Sequence, residues 1–192
     1  KHSGLELETN YMVNDMLDLM FVASFGNWKF DGDANGNYQE TEYNSAGQAI
    51  GYKTTEYAYA LDGLYVGDMP QTSYILGVTL RPIKDLSIQA IHKMYDKNYS
   101  DWSPSAREFD GTNDDADRSQ VWEAPSYNRL DLHMSYKLPK VKDLDMTLTA
   151  HIFNALDEVY VQDAVDNSQY NGFGSKVHAA HNAEVFLGTP RY

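Results

Sequence analysis

The sequence predicts an all-β fold in which about seven strands form one antiparallel, up-and-down sheet. Apolar and polar residues alternate with the two-residue period of a half-buried strand in each of these segments. Aromatic residues make up 13% of the chain, with 15 tyrosines, and such side chains favour a pleated surface over a helix. The connections between the segments alternate between short and long, which indicates that the strands run up and down in sequence.

The first four strands are predicted at 4–12, 17–30, 73–81 and 86–93. In the first strand, Leu5 and Leu7 lie on one face, and Glu6 and Glu8 lie on the other. Tight turns at 13–15 and 82–85 close two hairpins. A long polar segment at 31–70 separates these hairpins.

The last three strands are predicted at 129–138, 146–152 and 183–188. The alternation is cleanest in the fifth strand, where Leu130, Leu132 and Met134 oppose Asp131 and His133. A charged turn at 139–143 joins the fifth strand to the sixth, whereas long segments precede the fifth and follow the sixth. All long connections therefore lie at one end of the predicted sheet.

This asymmetry is typical of a transmembrane β-barrel, which has short turns on one side of the membrane and long loops on the other. The predicted strands approach the ~9–11 residues that cross a bilayer at a tilt, whereas soluble strands average ~5–6. Mean hydropathy is -0.56, and no apolar run reaches the ~20 residues of a membrane-spanning helix. Because bacterial barrels use an even number of strands, we expect further strands to precede Lys1 in a longer polypeptide.

Composition narrows the function further. The chain contains no cysteine, which excludes disulfides, thiolate metal sites and cysteine nucleophiles. The formal net charge of -13 disfavours a nucleic-acid partner, because phosphates would be repelled, and it favours divalent cations. No internal repeat or low-complexity linker divides the chain, so we treat 1–192 as one unit.

Three segments carry a family resemblance: APSYNRLDLH at 124–133, HIFNALDEVY at 151–160 and GTPRY at 188–192. They resemble the last strands of TonB-dependent outer-membrane receptors, especially those of Bacteroidetes-like bacteria. The likeness spans most of the chain and is strongest from Pro125 onward.

The resemblance implies the C-terminal part of a barrel of about 22 strands, located in the bacterial outer membrane. The N-terminal plug and the TonB box of the family are not in this sequence. The implied function is uptake of a scarce nutrient (siderophore, glycan, peptide or cofactor) with TonB-derived energy. Implied partners are outer-membrane lipid, the rest of the barrel with its plug, the TonB complex through the missing N-terminal part, and a surface lipoprotein.

The family resemblance also implies roles for individual residues. Asn154 and Asp157 are expected to cap the exit of the sixth strand, and Tyr127 and Tyr136 to lie in the aromatic girdles at the membrane interfaces. The terminal Tyr192 is expected to serve in barrel assembly. We expect no required cofactor and no enzymatic activity.

The segment 31–42 matches the calcium-loop pattern D-x-[DN]-x-[DN]-G-x5-E. Oxygen donors of this kind are the ligands that Ca²⁺ prefers, and Gly36, after Asn35, allows the sharp turn of such a loop. The candidate ligands are Asp31, Asp33, Asn35, Asn37 and Glu42. A plain acidic hairpin loop has the same composition, so both interpretations stay open.

Other polar residues give weaker patterns. The six histidines lie apart in the sequence, with His178 and His181 closest to a pair, and hydrated histidines are favoured over a transition-metal site. The acidic run 114–117 is interpreted as solvated charge, not as a catalytic group. Four aromatic residues are candidates for stacking on a sugar or chelate, although loop-on-loop packing explains them equally well. They are Trp102, Tyr57, Tyr59 and Tyr65.

Two other classes of protein compete with the receptor hypothesis. One is a soluble or surface-exposed β-sandwich that binds glycans or calcium. The other is a passive porin without a plug. A sandwich would pack the apolar face of the sheet against a second sheet, whereas a barrel wall leaves it open to lipid.

Overall fold

The computed structural model describes residues 1–103, 106–109, 116–168, 170–171 and 176–188. Its strands, in chain order, are β1 (His2–Asn14), β2 (Leu17–Trp28), β3 (Ala34–Tyr43), β4 (Ala49–Tyr59), β5 (Thr72–Leu80), β6 (Leu86–Asp96), β7 (Asn98–Tyr99), β8 (Asp101–Trp102), β9 (Glu108–Phe109), β10 (Glu123–Ala124), β11 (Tyr127–Lys137), β12 (Thr147–Ile152), β13 (Val161–Asp166) and β14 (Glu184–Leu187). A 3-10 helix lies at Ala180–Asn182. In the described ranges, no helix has the length and apolar character needed to span a membrane.

The largest sheet has six strands in the order β1-β2-β5-β6-β11-β12, and each neighbouring pair is antiparallel. The predicted all-β, antiparallel fold is thus confirmed. Six of the predicted strands form this sheet. Within the described residues, β1 and β12 are its two edges and do not pair with each other, so the sheet does not close.

The seventh predicted strand is placed differently from the expectation. Its ordered part, β14, pairs with β13 and not with the main sheet. The chain leaves β12 through a tight turn in which Asn154 adopts a positive φ of 50°, and the returning β14 meets β13 first. Tyr192, the residue expected to serve in barrel assembly, lies outside the described residues.

Cross-strand register gives the main sheet one apolar face. A single row of paired residues crosses all six strands and contains only apolar or aromatic side chains: Tyr11, Leu19, Val78, Ala90, Leu132 and Ile152. The neighbouring row belongs to the opposite face and is mainly polar: Met12, Asp18, Thr79, Gln89, His133 and His151. Tyr136 lies on the apolar face, opposite Leu148.

The apolar face is not covered by a second layer. Leu5 is 66% exposed, Leu76 49%, Leu148 52% and Ile152 45%. Of the residues in the six strands, Ala23 is the one apolar side chain that the structure describes as buried. The sandwich arrangement, which would bury this face against another sheet, is therefore not observed among the described residues.

The long connections form a separate structure, which we call the loop cap: the described parts of 29–71, 97–126 and 153–188. It contains most of the buried apolar side chains of the chain: Ala60, Leu61, Leu64, Tyr99, Val121, Ala124, Tyr160, Ala164 and Ala183. Three small sheets build it, in the orders β3-β4-β9, β10-β7 and β14-β13-β8. The described parts of the long polar segments are thus folded.

The hairpin β3–β4 lies within the segment that the sequence predicts as a polar loop. Asn44 forms its turn, because its Oδ1 accepts hydrogen bonds from the backbone N–H groups of Ala46 and Gln48. Gly47 supplies the positive φ of 76° that the turn requires. The strands carry few apolar residues, so they form a hairpin without the alternation that marks a half-buried strand.

Gln71 joins the loop cap to the main sheet and is almost completely buried. The backbone N–H of Trp28 donates to its Oε1 at 2.8 Å, and its Nε2 donates to the carbonyl of Trp28 at 3.0 Å. One side chain thus satisfies both backbone groups at the point where β2 leaves the sheet.

Candidate functional site

Asp33, the second candidate calcium ligand, is held by other contacts. Its Oδ1 accepts the backbone N–H groups of Leu61 and Asp62 at 3.0 and 3.1 Å. Arg118 donates to both of its carboxylate oxygens, at 2.9 and 2.8 Å. The hydrogen bond from Arg118 is the main reason that the pKa of Asp33 falls from 3.8 to about 2. This carboxylate joins two segments of the loop cap.

The remaining donors of the calcium pattern extend along β3 and do not surround one point. Asn35 is paired with Ala58 near one end of the hairpin, whereas Glu42 is paired with Gly51 near the other. Glu42 lies seven positions beyond Asn35 along this extended strand, or about 23 Å at ~3.3 Å per residue. Because Asp31, Asp33, Asn35, Asn37 and Glu42 are not brought together here, calcium binding by this set stays a prediction that requires the hairpin to rearrange.

The candidate stacking residues mostly contact other aromatic side chains of the loop cap. Trp102 lies between Phe30 and Tyr59, with ring centroids 6.3 and 6.1 Å away. Tyr65 stacks on Tyr99 with centroids 4.1 Å apart. For Trp102, Tyr59 and Tyr65, loop-on-loop packing is therefore the contact observed.

Tyr99, under Tyr65, is buried, and desolvation is the main reason that its pKa is raised. The Nζ of Lys29 lies 4.3 Å from the Tyr65 centroid on this stack, within the range of a cation–π contact. The stack therefore ties three segments of the chain together and presents a cation beside its aromatic surface.

Tyr57 lies at an open cleft of about 480 Å³ in the three-stranded sheet of the cap. The cleft is lined by Asn35, Asn37, Glu56 and Phe109 in addition to Tyr57. Register places the side chains of Asn35, Asn37, Glu56 and Phe109 on one face of this sheet and that of Tyr57 on the other. The cleft therefore offers one aromatic ring, two amides and a carboxylate, groups with which proteins bind sugars or polar chelates. Two of the predicted calcium donors, Asn35 and Asn37, line this cleft, and the ring of the predicted stacking residue Tyr57 lies on the opposite face.

The most deeply buried polar group of the loop cap is a set of four side chains that we call the buried quartet: Arg107, Asp117, Asp166 and His178. His178 lies between the two carboxylates, with Nδ1 2.5 Å from Asp166 Oδ2 and Nε2 2.8 Å from Asp117 Oδ2. Arg107 Nη1 lies 3.6 Å from Asp117 Oδ1, and Nη2 lies 3.6 Å from Asp166 Oδ2. Arg107 Nη2 also lies 3.3 Å from His178 Nδ1, so the four side chains form one connected network.

Opposite charges meet in the quartet, where Arg107 lies between two aspartates. Arg107 is fully buried and also donates to the backbone carbonyl of Ser119 at 2.7 Å. Burial lowers the pKa of Arg107, and the two aspartates oppose that shift. Burial would raise the pKa of Asp117, but hydrogen bonds from His178 and the Ser119 backbone and the charge of Arg107 outweigh it and lower the pKa.

The quartet corrects two interpretations made from the sequence. Asp117 is not solvated charge, because only 7% of it is exposed and it is hydrogen-bonded to His178. His178 is not hydrated, because its side chain is only 5% exposed. The four residues are distant in the sequence, so no local pattern could identify them. Asp114 and Asp115 lie outside the described residues.

The polar face of the main sheet carries a second network. Asp131 is buried and accepts hydrogen bonds from Lys93 Nζ at 2.8 Å and from the backbone N–H of Asn154 at 2.9 Å. Asn154 caps the exit of β12 as predicted, because its side chain donates to the carbonyl of Glu158 and accepts the N–H of Glu158. Asp157 follows in the same turn with a φ of 56°.

Tyr127 is a further correction. By register it shares the polar face with Arg129, and its ring stacks on that of Tyr160 with centroids 4.3 Å apart. It therefore does not lie in an aromatic girdle on the apolar face. Tyr136 lies on the apolar face, opposite Leu148, and its place in an aromatic girdle stays a prediction.

Metal-ligating residues do not cluster in the part of the chain that the structure describes: no group of three or more His, Asp or Glu side chains could hold a metal ion there. Two histidines do meet across β11 and β12, His133 and His151. Sequence spacing could not identify this pair, because they lie 18 residues apart. Antiparallel register places them opposite each other.

Comparisons with known proteins add little. No protein-family model matches the sequence, and no curated protein matches it. Among solved structures, the chain is similar to the closed form of the ferric-catecholate import receptor Fiu of Escherichia coli K12, at 16% identity and a TM-score of 0.39. The match covers 99% of this chain and 26% of that chain, so the chain spans about a quarter of the length of the receptor. At this TM-score the likeness carries no functional argument.

Proposed function

We propose that this chain is part of the wall of an outer-membrane β-barrel that takes up a scarce nutrient, of the TonB-dependent receptor type. The observation that carries the proposal is the six-stranded meander with one exposed apolar face and one polar face. In water, exposed apolar surface of this extent would be unusual for a monomer. Against lipid, the same surface is what a barrel wall requires.

The two ends of the sheet support the proposed orientation. One end has short connections, such as the two residues between β1 and β2, and the other end carries the whole loop cap. Outer-membrane barrels have short periplasmic turns and long extracellular loops. The loop cap therefore lies on the outer side in our proposal, and its own buried core allows it to stay folded in water.

The nutrient is proposed by class only: a siderophore, glycan, peptide or cofactor. The cleft at Tyr57 supports binding in the loop cap, because the ring of Phe109 can stack on a ligand while Asn35 and Asn37, on the same face, offer donors and acceptors. The proposal includes no enzymatic activity and no required cofactor, and it keeps Ca²⁺ as a candidate ion. Its partners are outer-membrane lipid, a plug, the TonB complex and a surface lipoprotein.

Fractionation of the full-length protein tests the location. We expect it in the outer membrane, soluble only in detergent, with an electrophoretic mobility that changes on heating, as for a closed barrel. Recovery as a detergent-free soluble monomer would contradict the proposal and favour the sandwich.

Liposome swelling with the purified full-length protein separates a receptor from a passive porin. A plugged receptor admits small sugars no faster than protein-free liposomes, whereas a porin admits them freely. Rapid swelling would leave the barrel in place but remove the receptor assignment.

A further inference from the structure

His133 and His151 form an exposed pair on the polar face of the main sheet. They are directly opposite each other in the antiparallel pairing of β11 and β12. Their Nδ1 atoms lie 2.9 Å apart, and their ring centroids lie 5.1 Å apart. The centroid distance is close to the largest that this Nδ1–Nδ1 distance allows, so the two Nδ1 atoms face each other directly, as in a hydrogen bond.

The surroundings hold both rings in place. Phe153 lies against them, with its centroid 5.6 Å from that of His133 and 6.0 Å from that of His151. On the other side of β11, His133 is paired with Gln89 of β6. In the absence of metal, one Nδ1–H donates to the other Nδ1, so the contact is satisfied by a single shared proton.

The other histidines with contacts differ in this respect. Both ring nitrogens of His178 face carboxylates in the buried quartet, and the Nε2 of His92 lies 3.1 Å from the side-chain oxygen of Asn128. The pair on β11 and β12 is thus the place in the described chain where two imidazole nitrogens meet.

The distance between the nitrogens indicates the coordination geometry. Metal–imidazole bonds are about 2.0–2.1 Å, so two ligand nitrogens 2.9 Å apart subtend about 90° at the metal. A tetrahedral ion would need the nitrogens to separate to about 3.4 Å. An ion with 90° between neighbouring ligands, which is the preference of Cu(II) and Ni(II), keeps the nitrogen separation unchanged and requires only that each ring turns until its Nδ1 faces the ion.

We propose that His133 and His151 form a binding site for a divalent late transition metal ion, Cu(II) foremost, with their two Nδ1 atoms as adjacent ligands and water in the other positions. The ion displaces the shared proton and replaces the hydrogen bond between the rings. The site does not depend on the proposed transport function, because it uses only the register of two neighbouring strands.

Electron paramagnetic resonance and calorimetry with one equivalent of Cu(II) test the site on the folded full-length chain. We expect the wild-type spectrum to show two equatorial imidazole nitrogens. His133→Gln and His151→Gln should each weaken binding by about a hundredfold, because each removes one of two ligands that act as a chelate. His181→Gln, at an exposed position in the loop cap, is the matched control and should bind as wild type.

Wild-type affinity in both His133→Gln and His151→Gln would overturn the proposal, and so would a wild-type spectrum without two imidazole nitrogens. The spectrum needs no variant, so it decides the question even if a substitution prevents folding. The transport and fractionation results do not enter this test, so the two proposals fail separately.

Discussion

The main sheet and the loop cap differ in how far they bury their apolar side chains. No residue of the apolar row on the six strands is buried, since each is exposed or half-buried, whereas the cap encloses an apolar core and a charged quartet. A structure that folds in water must cover its apolar surface. The cap therefore buries its own apolar side chains, whereas the apolar face of the sheet needs contact with something outside the described chain.

The polar groups of the two regions differ in the same way. In the cap, Arg107 and Asp166 are buried and must be paired, because an isolated buried charge is costly. On the sheet, most polar side chains of the polar face stay at least partly exposed, and Asp131 is the buried exception.

The largest expected loss of stability comes from a substitution in the buried quartet. Arg107→Leu leaves two buried carboxylates with only His178 between them, and removing one partner of a buried ion pair costs about 3–5 kcal/mol. Because Arg107 contacts only cap segments, we expect hydrogen exchange to rise in 116–126 and 161–168 and to stay unchanged in β2 and β5.

The matched control is Arg118→Leu, which removes an exposed arginine, 48% accessible, from its pair with Asp33. Exposed pairs contribute about 0–1 kcal/mol, so cap exchange should change little. Equal protection in the Arg107 and Arg118 variants would show that the quartet does not hold the cap together.

The next largest loss of stability is expected from a charge on the apolar face of the sheet, and the same charge on the polar face should have little effect. Ala90→Arg places a charge on the apolar face near the middle of β6, and near the midplane of a bilayer this costs about 2–4 kcal/mol. Gln89→Arg, the neighbouring residue on the polar face, is the control and should be nearly neutral. Unfolding of the full-length protein in lipid vesicles by guanidinium measures both; equal destabilisation would contradict the assignment of the faces.

The smallest expected effect is a loss of stability of the cap at low pH, through Asp33. The pKa of Asp33 is lowered by folding from 3.8 to about 2, chiefly by the hydrogen bond from Arg118. A lowered carboxyl pKa stabilises the folded state above pH 3.8, and this contribution is lost as the pH falls toward 2. Hydrogen exchange at Leu61 and Asp62 should therefore rise across this window in the wild type, and Asp33→Asn should remove that step.

The sequence was sufficient for the main sheet because its pattern is periodic and its strands are long. Each of the six strands was predicted within a few residues, since a sheet with one apolar face and one polar face imposes strict alternation. β14 was misplaced because alternation identifies a strand but not its partner. Its partner β13, with the sequence VQDAVD, shows only weak alternation.

The candidate site was less predictable because its contacts cross the sequence. Asp117 and His178 lie 61 residues apart and meet only when the cap folds. The same holds for His133 and His151, which meet through register. The calcium pattern is the converse case: a local match whose residues the hairpin β3–β4 spreads along a strand.

One available signal could have found that hairpin. Asn44 and Gly47 enclose a turn, and tyrosines and threonines recur on both sides of it. Such residues favour strands even without an apolar face. A search for turns between β-favouring segments would therefore have been more informative here than hydrophobic periodicity.

The most direct test of the two-sided sheet is site-directed spin labelling along β6 in the full-length protein in lipid vesicles. The chain has no cysteine, so single cysteines at 86–90 can be labelled and their exposure to oxygen, which enters lipid, compared with that to a water-soluble nickel chelate. We predict high oxygen exposure at Leu86, Ile88 and Ala90 and high chelate exposure at Ser87 and Gln89. Equal chelate exposure at all five positions, or protection of the apolar positions from both reagents, would contradict a sheet that faces lipid.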